Sequence, residues 1–147
     1  MTAVRRAEAA WEGDLASGRG TVSAISSGAF RDLPVSWAAR TESPEGRTSP
    51  EELIAAAHAS CFEMALSGAL ARGGTPPDHL AVSAEVTFDK TDAGWRVVSS
   101  ALTVVGRVPG IDAAGFRAAA EATRDGCPVS QALKGNVALS VEAALES

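Results

Sequence analysis

The sequence has no run of lysine or arginine, and its formal net charge is -5. A chain without a basic patch is poorly suited to bind a phosphate backbone or an anionic membrane, so neither nucleic acid nor membrane is expected as a partner. Also missing is an apolar core of signal-peptide length, because Met1-Thr2-Ala3-Val4-Arg5-Arg6 leads into a charged, alanine-rich stretch through Trp11. No stretch is expected to supply the roughly 20 apolar residues of a membrane span. The expected location is therefore the cytoplasm, where thiols are kept reduced and static disulfides are rare. Cysteine and histidine are scarce, with two of each. Cys61 and Cys127 are far apart, which excludes a Cys-x-x-Cys redox motif, and a zinc site would have to gather both from distant elements with His58 and His79.

Hydrophobic residues make up 46% of the 147 residues and charged residues 21%, the balance of an ordinary globular protein. One compact domain, residues 1–147, is expected. Extended segments are expected at Val4 to Trp11, Gly18 to Ser26 and Val35 to Ala39, the first two flanking a turn at Gly13-Asp14-Leu15-Ala16-Ser17. Ser49-Pro50-Glu51-Glu52 reads as a helix start, with a serine cap, proline in the first turn and a glutamate to close a capping box. The helix runs to about Arg72 and is apolar nearly all round, the pattern of a central helix buried on several sides. Gly73-Gly74 ends it, and strands follow at about Leu80 to Asp89 and Trp95 to Val108. Asp112 caps a helix to about Arg124, Asp125-Gly126 breaks it, and Pro128 opens a short helix through Lys134. A last strand, Val137 to Ala144, sets Val137, Leu139 and Val141 on one face. The order βββ-α-ββ-αα-β is α+β, with antiparallel sheets around a long central helix.

Local physics leaves the roles of the cysteines open. Cys61 lies on the apolar helix, where the plain alternative is a small buried hydrophobe. Cys127 lies in Gly126-Cys127-Pro128 at a helix start, where the dipole and free N–H groups favour a thiolate, so local physics alone makes it the better nucleophile. His58, three residues before Cys61, is the one candidate base for a cysteine–histidine hydrolase, and its plain alternative is a helix-surface or interface residue.

The segments Ser49-Pro50-Glu51-Glu52-Leu53-Ile54-Ala55-Ala56-Ala57-His58-Ala59-Ser60-Cys61-Phe62 and Gly126-Cys127-Pro128-Val129-Ser130-Gln131-Ala132-Leu133 closely resemble the two cysteine motifs of the OsmC/Ohr family. Trp11-Glu12-Gly13-Asp14, Gly18-Arg19-Gly20-Thr21-Val22-Ser23 and Val108-Pro109-Gly110-Ile111-Asp112 are similar to its osmotically inducible OsmC branch, and His58 fits that side. The resemblance implies an intertwined homodimer that reduces organic hydroperoxides with a thiol or lipoyl-type dithiol as reductant and no resident cofactor. It implies that Cys61 is oxidised to a sulfenic acid and that Cys127 resolves it as a disulfide. It further implies that Arg40 accompanies the thiolate and Glu51 partners Arg40.

Burial raises a thiol's pKa, so Cys61 needs a cation to ionise near neutral pH. Arg40 is permanently charged and forked, and a carboxylate such as Glu51 would hold it while the thiol is neutral. Their plain alternatives are an exposed sheet-end charge and a helix N-terminal charge. Glu51 and Cys61, ten residues apart on one helix, stand about 15 Å apart along the axis and about 80° apart around it. The site is therefore expected to be shared between subunits, with Glu51 supplied across the interface. The face formed by Phe62, Met64, Ala65 and Leu66 is expected to favour an alkyl peroxide. A non-peroxidase thiol enzyme using Cys61 and His58, and a binding module for small apolar ligands on the same fold, are the competing expectations.

Overall fold

The computed structural model describes residues 1–146. The chain folds as two compact units, residues 1–53 and residues 54 onward, and the boundary falls within one continuous helix.

The first unit holds an antiparallel three-stranded sheet of β1 (Ala7–Glu12), β2 (Arg19–Ala24) and β3 (Leu33–Val35), in that order. Gly13, at φ +91°, turns the chain between β1 and β2. The third strand falls earlier than expected and stops at Val35. Ser36 then accepts a hydrogen bond from the N–H of Ala39 at 3.1 Å and caps a one-turn helix, α1 (Trp37–Thr41), where strand was expected. A serine cap thus replaces the extended segment expected at Val35 to Ala39. Thr48 is tied to β3 through its N–H to the carbonyl of Pro34 at 2.9 Å, which fixes the loop before the next helix.

That helix, α2 (Pro50–Arg72), begins as the sequence predicts, with Ser49 Oγ accepting from the N–H of Glu52 at 3.1 Å. The capping box is not closed, because Glu52 accepts instead from the hydroxyl of Thr48 at 2.7 Å. Its end is a Schellman motif: Gly74 takes φ +88°, the N–H of Thr75 reaches the carbonyl of Leu70, and the N–H of Gly74 reaches that of Ala71. Beyond the first turn, only one stripe of α2, His58, Phe62, Leu66 and Leu70, is buried in the single chain, where burial on several sides was expected. Met64 is 68% exposed. Contrary to the expectation, this alanine-rich helix is long and apolar enough, by length and composition alone, to cross a membrane.

The second unit contains β4 (His79–Thr91), β5 (Gly94–Arg107) and β6 (Ala138–Leu145) in one sheet, in that order. β4 and β5 form the expected hairpin, but β6 runs parallel to β5, so this sheet is mixed. The parallel pairing is made possible by a long connection through α3 (Ala113–Gly126) and α4 (Pro128–Leu133). One face of the sheet is inward, with Leu80, Val82, Leu102, Val104, Val141 and Ala143 packing with Phe62, Leu66, Leu70, Phe116, Ala120 and Cys127. α3 is capped by Asp112, which accepts from the N–H of Gly115 at 2.7 Å. The helix runs through Gly126, two residues beyond its expected end, because Pro128 is what stops it: a residue before proline is pushed into extended backbone. Cys127 accordingly has φ -66° and ψ 144°.

Phe116 of α3 rests directly on the bare Cα of Gly106, where a Cβ would stand 2.6 Å from the ring. Gly106→Ala is predicted to lower stability by about 1–3 kcal/mol through this overpacking. Adding Phe116→Leu should recover part of the loss, as read from the midpoint of urea unfolding.

Candidate active site

Cys127 occupies the corner between α3 and α4. Its N–H still bonds the carbonyl of Thr123 at 2.9 Å as the end of one helix, while its sulfur accepts from the N–H of Ser130 at 3.3 Å as the cap of the next. The sulfur also meets the Ser130 hydroxyl at 3.0 Å, and the side chain is buried. Cys61 approaches the same corner from α2. The backbone N–H of Val129 points at its sulfur, and the Cys127 side chain is near enough to oppose its ionisation. Both cysteines are free thiols. The fold therefore brings together two thiols that are remote in sequence.

Burial is the largest influence on Cys61 and pushes its pKa up; Val129 pulls it down, and the neighbouring Cys127 thiol adds to the rise. The surroundings of Cys61 in its own unit thus do not make a nucleophile of it, and the need for a cation stands.

Arg40 and Glu51 meet as expected, but within one chain. The last turn of α1 carries Arg40 and the first turn of α2 carries Glu51. Nη2 of Arg40 lies 2.8 Å from Oε1 of Glu51, and Nε donates to the two carboxylate oxygens at 2.9 and 3.1 Å. Glu51 is buried, its side chain 7% exposed against 31% for Arg40. A two-nitrogen grip of this kind fixes the guanidinium plane, which also lies over the Trp37 ring, 5.8 Å from its centroid. Arg40 and Glu51 therefore come as a pair from one chain, and a site shared between subunits takes both from the same protomer. Arg40–Glu51 belongs to the first unit and Cys61–Cys127 to the second.

His58 is fully buried, not on a surface. Its Nδ1 lies 2.6 Å from the Ser100 hydroxyl of β5, and its Nε2 lies 2.8 Å from the Ser130 hydroxyl of α4. With both ring nitrogens engaged by serines, the ring does not serve Cys61 as a base. Ser100 and Ser130 escaped the sequence reading; the one signal was a serine at the centre of an apolar strand and another three residues after Cys127. Phe62 and Leu66 are core residues and Met64 faces outward, while Ala65 lines a cavity of about 220 Å³ with Ala69, Thr123 and Cys127. A second cavity, of about 340 Å³, opens beside Arg40, walled by Trp11, Leu15, Val35, Trp37 and Pro50. His79 begins β4 in an exposed position, and no three metal-ligating side chains converge among the described residues.

The family model for OsmC-like protein matches residues 43–142, which contain both cysteines and Glu51. The chain belongs to the OsmC-like family. It is 44% identical to the peroxiredoxin OsmC of Escherichia coli (strain K12) over 142 residues, covering 97% of this chain and 98% of that one. It is 30% identical to the organic hydroperoxide resistance protein OhrA of Bacillus subtilis (strain 168), over 77% of this chain and 79% of the other. Among solved structures, OhrB of Bacillus subtilis superposes with a TM-score of 0.67 at 25% identity, covering 96% of this chain and 98% of that chain. The OsmC-like fold expected from the sequence is therefore the fold of this chain.

Desolvation holds the pKa of His58 below its ordinary value. The folded state thus binds fewer protons at this ring than the unfolded state, whose histidine titrates near pH 6.5. His58 should leave stability unaffected above that pH and erode it as pH falls below, by at most about 1.4 kcal/mol per unit. Chemical denaturation between about pH 7 and pH 5 should show a shallower loss for His58→Gln, whose amide is polar but does not titrate.

Proposed function

We propose that this protein is a thiol-dependent peroxidase that reduces organic hydroperoxides to alcohols, with Cys61 as the attacking thiolate and Cys127 as the resolving thiol. The observation that carries this reading is the juxtaposition of the two free thiols at the α3–α4 corner. The names of the relatives, a peroxiredoxin and organic hydroperoxide resistance proteins, support the same chemistry. In the first step the Cys61 thiolate attacks the outer peroxide oxygen and the O–O bond breaks. The alcohol leaves with a proton, and Cys61 becomes a sulfenic acid. Cys127 then displaces hydroxide from that sulfur, which closes the disulfide before further oxidation. An external thiol or lipoyl-type dithiol restores both thiols, and no prosthetic group takes part.

Arg40 supplies the cation that half-buried Cys61 requires, and Glu51 holds it in position. The guanidinium stabilises the thiolate and the negative charge that develops on the departing oxygen. The cavity beside Arg40 has an apolar wall, which suits the alkyl group of the peroxide, each buried CH₂ contributing roughly 0.8 kcal/mol.

The working form in this reading is a cytoplasmic, intertwined homodimer without nucleic acid or membrane partners. Two exposed features favour it: the side of α2 around Met64, and β1, whose six residues, Trp11 among them, are all exposed in the single chain. A second copy covering these surfaces accounts for the membrane-like composition of α2 without a membrane.

Purified protein given a tert-alkyl hydroperoxide and a dithiol should turn over continuously. Cys61→Ser should abolish peroxide loss, and persistence of turnover in that variant would refute the reading. Cys127→Ser should consume one equivalent and then inactivate on further peroxide. Arg40→Met should lower kcat/KM about 10²-fold or more, as loss of one transition-state donor does. The wild type should prefer the alkyl peroxide to hydrogen peroxide in kcat/KM.

A further inference from the structure

We infer that Ser130 and His58 form a proton relay to the thiol of Cys127, Ser130 touching the reacting sulfur and His58 acting as the positioning base behind it. This rests on the assignment of Cys127 as the resolving thiol. The peroxide step at Cys61 has no use for these groups, yet they form a continuous chain: Cys127 Sγ to Ser130 Oγ at 3.0 Å, Ser130 Oγ to His58 Nε2 at 2.8 Å, and His58 Nδ1 to Ser100 Oγ at 2.6 Å. His58, Ser100 and Ser130 are fully buried and Cys127 nearly so.

Capping α4 does not require this chain. The N–H of Ser130 alone satisfies the Cys127 sulfur as a cap, so the hydroxyl does something further. Three polar side chains from α2, β5 and α4 beside an apolar core are costly to desolvate, and apolar side chains would pack there without that cost. The relay runs in one His58 tautomer, since a serine hydroxyl can donate or accept at either end of the chain. With the ring proton on Nδ1 and donated to Ser100, Nε2 accepts from the Ser130 hydroxyl, whose oxygen accepts from the Cys127 S–H. Around the ring stand Ser100 from β5, Ser130 with Cys127 behind it from the α3–α4 corner, and Cys61 one turn on along α2; among the described residues no carboxylate or cation hydrogen-bonds to it. Burial keeps the ring neutral, so that one of its nitrogens presents a lone pair to a serine hydroxyl.

During resolution, the S–H proton of Cys127 moves to Ser130 as the Ser130 proton moves to His58. Cys127 Sγ attacks Cys61 Sγ, the S–S bond forms and the S–O bond breaks. The leaving hydroxide combines with the one proton released, so a sulfenic acid and a thiol become a disulfide and water. The sulfenic sulfur is reduced and the Cys127 sulfur oxidised. When an external dithiol later attacks Cys61 Sγ, the Cys61–Cys127 bond breaks and Cys127 takes the proton that the attacking thiol gives up; the second thiol then displaces Cys61, which takes its proton, and the dithiol leaves as a disulfide.

The test mixes the reduced full-length protein with one equivalent of tert-alkyl hydroperoxide and follows disulfide formation by quenched flow with thiol alkylation, from about pH 5 to pH 9. In the wild type, the condensation rate should be flat above about pH 6.5, where His58 is neutral. In Ser130→Ala and His58→Gln, where attack waits on thiolate formed by solvent, it should rise about tenfold per pH unit and fall at least about tenfold below the wild type at the acid end of the range. Ser130→Thr, which restores the hydroxyl, should recover most of the rate and the flat profile. A purely structural role would lower stability in the variants without changing the shape of the pH profile. Wild-type rates and an unchanged profile in folded Ser130→Ala or His58→Gln would overturn the relay alone. Failure of the wild type to form the Cys61–Cys127 disulfide would instead overturn the peroxidase reading on which the relay rests.

Discussion

Proline at position 128 denies its predecessor a helical backbone, and the arrangement around the two thiols depends on that constraint. Without it, α3 would continue through residue 127 and turn the cysteine with the helix. With it, Cys127 becomes the end of α3 and the cap of α4 at once. Its sulfur is held by the N–H and hydroxyl of Ser130 and placed beside Cys61. The packing of Phe116 against Gly106 anchors α3 on the sheet and so carries the corner to α2.

The same placement creates an electrostatic difficulty. Apolar surroundings and a second thiol both oppose ionisation of Cys61, while one backbone N–H favours it. The proposed remedy is a cation whose charge does not depend on pH. Arg40 can be kept near buried groups because Glu51 neutralises it through three contacts of 2.8 to 3.1 Å. Division of labour follows in the proposed mechanism. Cys61 depends on an arginine for its thiolate, and Cys127 depends on a neutral base reached through a hydroxyl. Two thiols in contact are thereby activated at different steps.

Much of the fold was legible because its signals are local. Ser49, Asp112 and Pro128 mark helix starts by capping and backbone chemistry, and Gly74 marks an end by its left-handed conformation. The features that were missed depend on contacts distant in sequence or on a competition between local preferences. The cap at Ser36 converts an apparent strand into α1, and the parallel pairing of β6 with β5 is set by a long crossover. Of the four residues predicted for the site, Arg40 and Glu51 meet, and Cys61 and Cys127 meet. The link from His58 to Cys127 was not legible, because its spacing to Cys61 on the helix gives no hint of serines arriving from β5 and α4. Phe62 and Leu66 were misread for a related reason: apolar character does not reveal whether a side chain faces a substrate or the core.

The central claim is the order in which the two sulfurs act. Peptide mass mapping after exposure to one equivalent of an organic hydroperoxide, with a sulfenic-acid trap present, reads that order directly. The account predicts a Cys61–Cys127 disulfide in the wild type and, in Cys127→Ser, a trapped sulfenic acid confined to Cys61. A sulfenic acid on Cys127 in a Cys61→Ser protein, formed as fast as the wild type reacts, would contradict it and reverse the two roles.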